Sequence, residues 1–223
     1  MLLSQADHDA VTTAVAKAEL SSDGEIVTVV AGQSDAYHDV ALHWAVLAML
    51  IALALLAWQP GLAEWLHSRI LNNWAEHVPP GWYLTVGLVL ATATFLAVRF
   101  LLAIDGLRMM LTPGATKTRR VKRKALQLFR TSAEKRTKAA TGVLLYLSLA
   151  EHRAEIIADE SIHSRVTPDV WGAAMAALLV KVKAGHPGEG MAAAVEQIGI
   201  VLAEHFPRSE GDTNELPDRL IEL

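Results

Sequence analysis

Nineteen consecutive residues from Val40 to Trp58, VALHWAVLAMLIALALLAW, include one strongly polar side chain, His43. No other feature constrains the fold as tightly. A helix of about 20 apolar residues is what the hydrocarbon core of a bilayer requires. A second stretch, WYLTVGLVLATATFLAV from Trp82 to Val98, carries no charge, and FLLAI extends it past Arg99. An arginine near the end of a span can reach the headgroups through its long apolar stem. The two stretches therefore read as a transmembrane helical hairpin, with spans at about 40–58 and 82–104. The alternative is a buried hairpin of a soluble protein, and it would have to find enough protein to cover two such segments in succession.

The remaining composition is that of an aqueous domain. Hydrophobic residues are 52% of the chain and charged residues 20%. The first figure is too high for a disordered protein and the second too high for a protein made only of spans. Charge is distributed unevenly. Residues 1–41 carry Lys17 against seven carboxylates, residues 99–140 carry twelve cations against Asp105 and Glu134, and residues 141–223 carry six cations against thirteen carboxylates. Cations close to the cytoplasmic ends of spans orient a hairpin. Only Arg69 lies between the spans, whereas Arg99, Arg108, Lys117, Arg119, Arg120, Lys122, Arg123 and Lys124 follow the second. Both termini are therefore expected in the cytoplasm. The opening MLLSQADHD has neither a basic n-region nor an apolar h-region, so a cleaved signal peptide is not expected. With no cysteine, the chain has no disulfide, thiolate metal site or cysteine nucleophile.

Between the spans Trp58, Trp65, Trp74, Trp82 and Tyr83 suit an interfacial belt. Leu62, Trp65, Leu66, Ile70 and Trp74 repeat at helical spacing, consistent with a short helix in the interface plane or with a connector anchored by its tryptophans.

Outside the hairpin, Ser4 and Asp7 form a capping-box-like start, and Val11, Ala14, Val15 and Ala18 make one apolar stripe. Ser-Ser-Asp-Gly at 21–24 ends that helix, and EIVTVVA (25–31) reads as a strand. After the spans, Thr112-Pro-Gly-Ala breaks the chain. A helix is predicted from about Thr118 to Thr137, with Val121, Ala125, Leu128 and Phe129 on one face and cations on the other. VLLYLSLA (143–150) reads as a strand buried on both faces, Glu151-His152-Arg153 as its turn, and AEIIA (154–158) as its antiparallel partner. Helices follow at about 168–184 and 188–205, separated by Gly185-His-Pro-Gly. Residues 208–223 are acidic and aperiodic and are predicted to be disordered. This order describes a small α/β domain, 1–39 and 105–207, interrupted by the hairpin at 40–104. The carboxyl edge of its sheet, where open α/β sheets bind ligands, is expected to face the lipid because the insertion leaves from it.

GEIVTVV (24–30), RTKAATGVLLYLSLAEHRAEIIADESI (136–162) and AAAVEQIGIVLAEHFP (192–207) together resemble the TPM domain family, in its bacterial branch with a hairpin inserted in the domain. The resemblance implies a three-layer α/β/α sandwich at a bacterial inner membrane. The family includes a thylakoid-lumen protein of photosystem repair and an auxiliary protein of a neurotransmitter receptor. Phosphatase activity and calcium binding are attributed to some members. Gly142 matches a glycine usual at the start of the second strand, whereas Asp159-Glu160-Ser161 carries serine where glycine is usual.

No P-loop, GxSxG, HExxH or dinucleotide fingerprint is present, and no catalytic residue can be named. Asp159 and Glu160, with Asp169 ten residues on, are the metal candidates, for a divalent cation such as calcium. Asp35, His38 and Asp39 could hold a hard cation, cap the first span or pair with the basic block. His8 with Asp9, and Glu151 with His152, read as solvated polar pairs. Arg119, Arg120, Lys122, Arg123 and Lys124 read as a topology determinant that also meets anionic headgroups. No aromatic platform accompanies them, so nucleic acid is not an expected partner. Two function classes follow: a module that binds or assembles another membrane component, or a membrane-anchored, metal-dependent phosphatase.

Overall fold

The computed structural model describes residues 2–71, 78–132, 141–209 and 216–223. It contains two compact units: residues 1–35 with 113–223, and residues 36–112. The chain leaves the first unit after Asp35 and re-enters it at Pro113, so the sequence-distant halves of one domain fold together around a sheet.

In the first unit, helix α1 (Gln5–Glu19) opens with the capping box: the Asp7 N–H donates to Ser4 Oγ at 3.2 Å while the Asp7 carboxylate accepts from the Ser4 N–H at 3.0 Å. Strand β1 (Glu25–Ala31) pairs in parallel with β2 (Gly142–Ser148), in a register that sets Glu25 against Gly142 and Ala31 against Ser148. Strand β3 (Arg153–Ala158) returns antiparallel to β2 through a turn in which His152 adopts φ 51°. The sheet order is β3-β2-β1-β4, where β4 is Ile221–Glu222.

Every position of β1 and β2 is buried, because each strand is covered on both faces. Ile26 and Val30, with Val143, Leu145 and Leu147, pack against α1, α8 (Gly172–Lys183) and α9 (Pro187–His205). Val27, Val29 and Ala31, with Leu144 and Tyr146, pack against Val121, Ala125 and Phe129 of helix α6 (Gly114–Ser132). The period-2 alternation of the strands thus divides one continuous apolar run between two cores, and the result is a three-layer α/β/α sandwich. Burying each Val or Leu contributes about 1.5–3 kcal/mol. Helices α1 and α9 approach closely at Gly199, where a Cβ would stand 2.6 Å from the Cβ of Ala18. Only glycine fits there.

Helix α6 begins a turn earlier than its sequence suggests. Pro113 supplies a carbonyl that accepts from the N–H groups of Thr116 and Lys117 at 3.0 and 3.2 Å, and a proline before the first turn sacrifices no donor that the helix uses. The predicted end of that helix, 133–137, lies outside the described residues. A short helix, α7 (Glu160–His163), follows β3.

Of residues 208–223, for which disorder is predicted, 210–215 lie outside the described residues and 216–223 are ordered. Leu216 and Leu220 are buried, Ile221 and Glu222 pair in parallel with Val29 and Val30, and the Glu25 carboxylate accepts from the Leu216 N–H at 3.1 Å. Glu222 accepts from the N–H groups of Leu2 and Leu3, both at 2.9 Å, and meets His8 Nε2 at 2.9 Å. His8 is therefore a partner of the last strand and not a solvated pair with Asp9. A few apolar residues suffice to order this segment because β1 presents an edge that β2 leaves open.

The second unit holds α2 (His38–Trp58), α3 (Gly61–Leu71), α4 (Pro80–Leu101) and α5 (Asp105–Leu111). Helices α2 and α4 are long and apolar enough to cross a membrane, and only 17% and 11% of their most apolar windows are buried. They meet at Gly87, where a Cβ would lie 3.7 Å from Leu53 and 3.8 Å from Leu56. Helix α5 was not evident from the sequence. Its Arg108 is buried and donates to the carbonyl of Leu102 at 3.1 Å while pairing with Asp105, which satisfies carbonyls freed at the end of α4.

Candidate functional site

Open α/β sheets present ligand sites at the carboxyl ends of their parallel strands. In this sheet that edge is the exit of β1 and β2. Alternation puts Tyr146 and Ser148 on the face toward α6, two residues apart, and both are fully buried. The loop after β1 brings Ser34 to them, and the β2–β3 turn brings Glu151, which is 3% exposed.

These four residues form one chain of hydrogen bonds. Ser34 Oγ lies 2.8 Å from Tyr146 Oη and donates to Ser148 Oγ at 2.8 Å, and Ser148 Oγ donates to the Glu151 carboxylate. Because Ser34 has one hydroxyl proton and gives it to Ser148, the Tyr146 phenol must be the donor to Ser34. The direction is thus fixed from phenol to hydroxyl to hydroxyl to carboxylate. The Ser34 backbone N–H donates to the other Glu151 oxygen at 2.9 Å. Buried polar groups need hydrogen-bond partners in a low-dielectric site, and both oxygens of the Glu151 carboxylate have one here. Burial pushes the Tyr146 phenol above its ordinary range. It is therefore a proton donor at neutral pH.

One residue farther along, Asp35 Oδ2 accepts from Arg120 Nη1 at 2.9 Å and from Arg123 Nη2 at 3.1 Å, one helical turn apart on α6. Pairing with the basic block is thus the role the structure assigns Asp35, among the three that its sequence left open. On the neighbouring strand, burial raises the Glu155 carboxyl while the Lys122 charge lowers it.

The basic candidates consequently divide. Arg120 is 14% exposed in its side chain and Arg123 72%, and both are engaged with Asp35. Arg119 and Lys122 are exposed, and Lys124 is half-buried. The metal candidates lie elsewhere. Asp159 is buried beside the start of β2, where its carboxylate accepts from the Gly142 N–H at 3.2 Å and its own N–H donates to the Gly142 carbonyl at 2.9 Å. Glu160 is exposed at the start of α7. Since β3 runs antiparallel to β2, Asp159 and Asp35 are at opposite ends of the sheet and do not share a site. Among the described residues, no three of His, Cys, Asp and Glu gather as a metal cage. Glu151, read from sequence as solvated, is the most buried carboxylate at the carboxyl edge. The signal that could have found this network was the pair of hydroxyl residues at alternate positions in an otherwise apolar strand.

A family model described as the TPM domain matches residues 107–201. Among solved structures, the NMR structure of BA42 protein from the psychrophilic bacterium Bizionia argentinensis is similar, with a TM-score of 0.57 and 16% identity over 100% of this chain and 97% of that chain. Likeness at that identity concerns the fold alone. No curated protein matches.

Proposed function

This chain carries a TPM domain, and from that premise we propose that it is an integral protein of a bacterial inner membrane whose cytoplasmic domain binds or helps assemble another membrane component. The observation that carries the reading is the state of the carboxyl edge. The Glu151 carboxylate is buried and accepts from Ser34 and Ser148, and Asp35 is clamped by Arg120 and Arg123. The edge thus serves to fix the loops around the hairpin insertion, and the basic outer face of α6, with Arg119 and Lys122 exposed, is left as the surface for contact. Anionic headgroups and an acidic region of a membrane protein are the partners of matching chemistry.

Affinity purification of the full chain from native membranes tests this. A membrane protein should be recovered in stoichiometric amount, and reversal of Arg119 and Lys122 to glutamate should release it, whereas reversal of Lys181 and Lys183 should not. Retention of the same proteins by both variants would defeat the proposal. A second reading, a membrane-anchored phosphatase with Asp159 and Glu160 as ligands of a divalent cation, draws on the buried Asp159 carboxylate beside the exposed Glu160, at the end of the sheet away from Glu151. Release of phosphate from a generic ester that is lost both on chelation and in Asp159→Asn would establish it in place of the first.

A further inference from the structure

Helix α3 is built inside out for a water-facing element. Its inward residues are Ala63, fully buried, and His67, 4% exposed, while Leu62, Trp65 and Ile70 are 48%, 55% and 64% exposed. A helix whose outer face met water would bury the leucine and tryptophan and expose the histidine. The inversion is held by specific contacts. Trp82 Nε1 donates to the Ala63 carbonyl at 2.7 Å, the rings of His67 and Trp82 meet edge to face at 5.2 Å, and Tyr83 Oη donates to Glu64 at 3.1 Å. The first turn of α4 therefore grips one side of α3 and turns the apolar side outward. On that side the Arg69 guanidinium lies 5.7 Å over the Trp65 ring, a cation–π pair in which the stem covers apolar surface while the charge reaches a polar medium.

Eleven residues of helix extend about 16 Å, roughly half of what a span requires, so α3 is not a third crossing. Pro60 separates it from α2, and the Pro60 carbonyl starts the new helix by accepting from Ala63 N–H at 2.9 Å. Only Gln59 and Pro60 stand between α2 and α3.

We propose that α3 lies in the plane of the bilayer at the boundary of headgroups and acyl chains, with Leu62, Trp65, Leu66 and Ile70 immersed and Glu64 and Ser68 at its polar flank. The occupant of the exposed face is lipid. This rests on the reading of α2 and α4 as spans, and the experiment separates the two.

The natural absence of cysteine makes the full chain a ready background for single nitroxide labels. Labels at Leu62, Trp65, Ile70, Ser68, Ile51 and Leu88, each introduced alone as cysteine, are to be placed in vesicles of phosphatidylethanolamine and phosphatidylglycerol. Collision rates with oxygen and with a water-soluble nickel chelate then give their depths. Positions 62, 65 and 70 should share one shallow depth, about 5–10 Å below the headgroups, Ser68 should collide mainly with nickel, and 51 and 88 should lie deep. Three independent sites guard against one label that disturbs α3. If 62, 65 and 70 collide with nickel as Ser68 does while 51 and 88 remain deep, α3 is a hydrated connector and the proposal is wrong. Protection of those three sites from both reagents would show a protein partner or a second copy on the face, which also overturns it. Nickel access at 51 and 88 would remove the spans themselves.

Discussion

Strands β1 and β2 and helices α2 and α4 are the most apolar parts of the chain, yet they treat the same kinds of side chain oppositely. Val30, Val143, Leu144 and Leu145 are fully buried, whereas Leu84, Leu88 and Phe100 are 76%, 69% and 71% exposed. Hydropathy measures how strongly a segment avoids water. It does not say what replaces the water. In the first unit the replacement is protein, packed on two faces of a sheet, whereas in the second the described residues leave most of α2 and α4 uncovered. If α2 and α4 are spans, as proposed, their exposed side chains are the ones that lipid would cover.

The contrast can be broken most severely at the sheet. Leu145→Ala removes side-chain atoms from a core with no solvent access and should cost about 2–5 kcal/mol, read by denaturant unfolding of the full chain in lipid. Leu88→Ala should stay within about 0.5 kcal/mol, as a substitution at a surface does. An equal loss at both positions would mean that Leu88 is buried by protein and that the lipid-facing reading of α4 fails.

Reversing the chemistry should reverse the ranking. Leu88→Arg places a cation near the middle of α4 and should lower insertion by about 2.5–3.5 kcal/mol, measured as the fraction of chain resistant to alkaline extraction. Leu20→Arg, at a position 69% exposed on the first unit, should change unfolding by no more than about 0.5 kcal/mol. Unimpaired insertion of Leu88→Arg would contradict the span.

A further test is a dependence on pH confined to the first unit. Burial pushes the Glu19 carboxyl from 4.5 up to about 8, the charges of Glu25 and Asp218 add to the rise, and the Ile26 N–H opposes it. The folded state thus keeps a proton that the unfolded chain has released, and stability falls as pH climbs from the unfolded value to about 8 and then levels. Glu222 has the opposite sign. Its bonds to His8, Leu2 and Leu3 bring its carboxyl down to about 2, so its contribution is present above 4.5 and is lost as pH falls toward 2. Glu19→Gln should flatten the alkaline loss and Glu222→Gln the acid loss, each followed by thermal melting across pH. A slope unchanged in Glu19→Gln would show that the group is ionised in the fold. The helical signal of the hairpin should not move with either variant.

Much of this was legible because it depends on neighbours in sequence. An unbroken apolar run specifies a span-length helix by composition alone. The capping box at Ser4 and the β-branched run at 25–31 act over a turn or a strand, and the resemblance to the TPM domain pointed to the sheet that joins them. The edge network was not legible in the same way. Ser34 meets Tyr146, Ser148 and Glu151 across 112, 114 and 117 positions of chain. A shift of one residue in the pairing of β1 and β2 would turn those hydroxyls to the other face. Likewise Arg119 and Arg120 are adjacent and chemically identical. The face that α6 turns to the sheet, chosen by Val121, Ala125 and Phe129, sends one to Asp35 and leaves the other exposed. The order of the closing segment follows from the same cause, since Leu216 and Ile221 have somewhere to go only after β2 has taken one edge of β1 and left the other. Composition and periodicity determined which segments leave water and in what local form. Register and sheet order, which exist only once distant strands have paired, decided which polar groups meet.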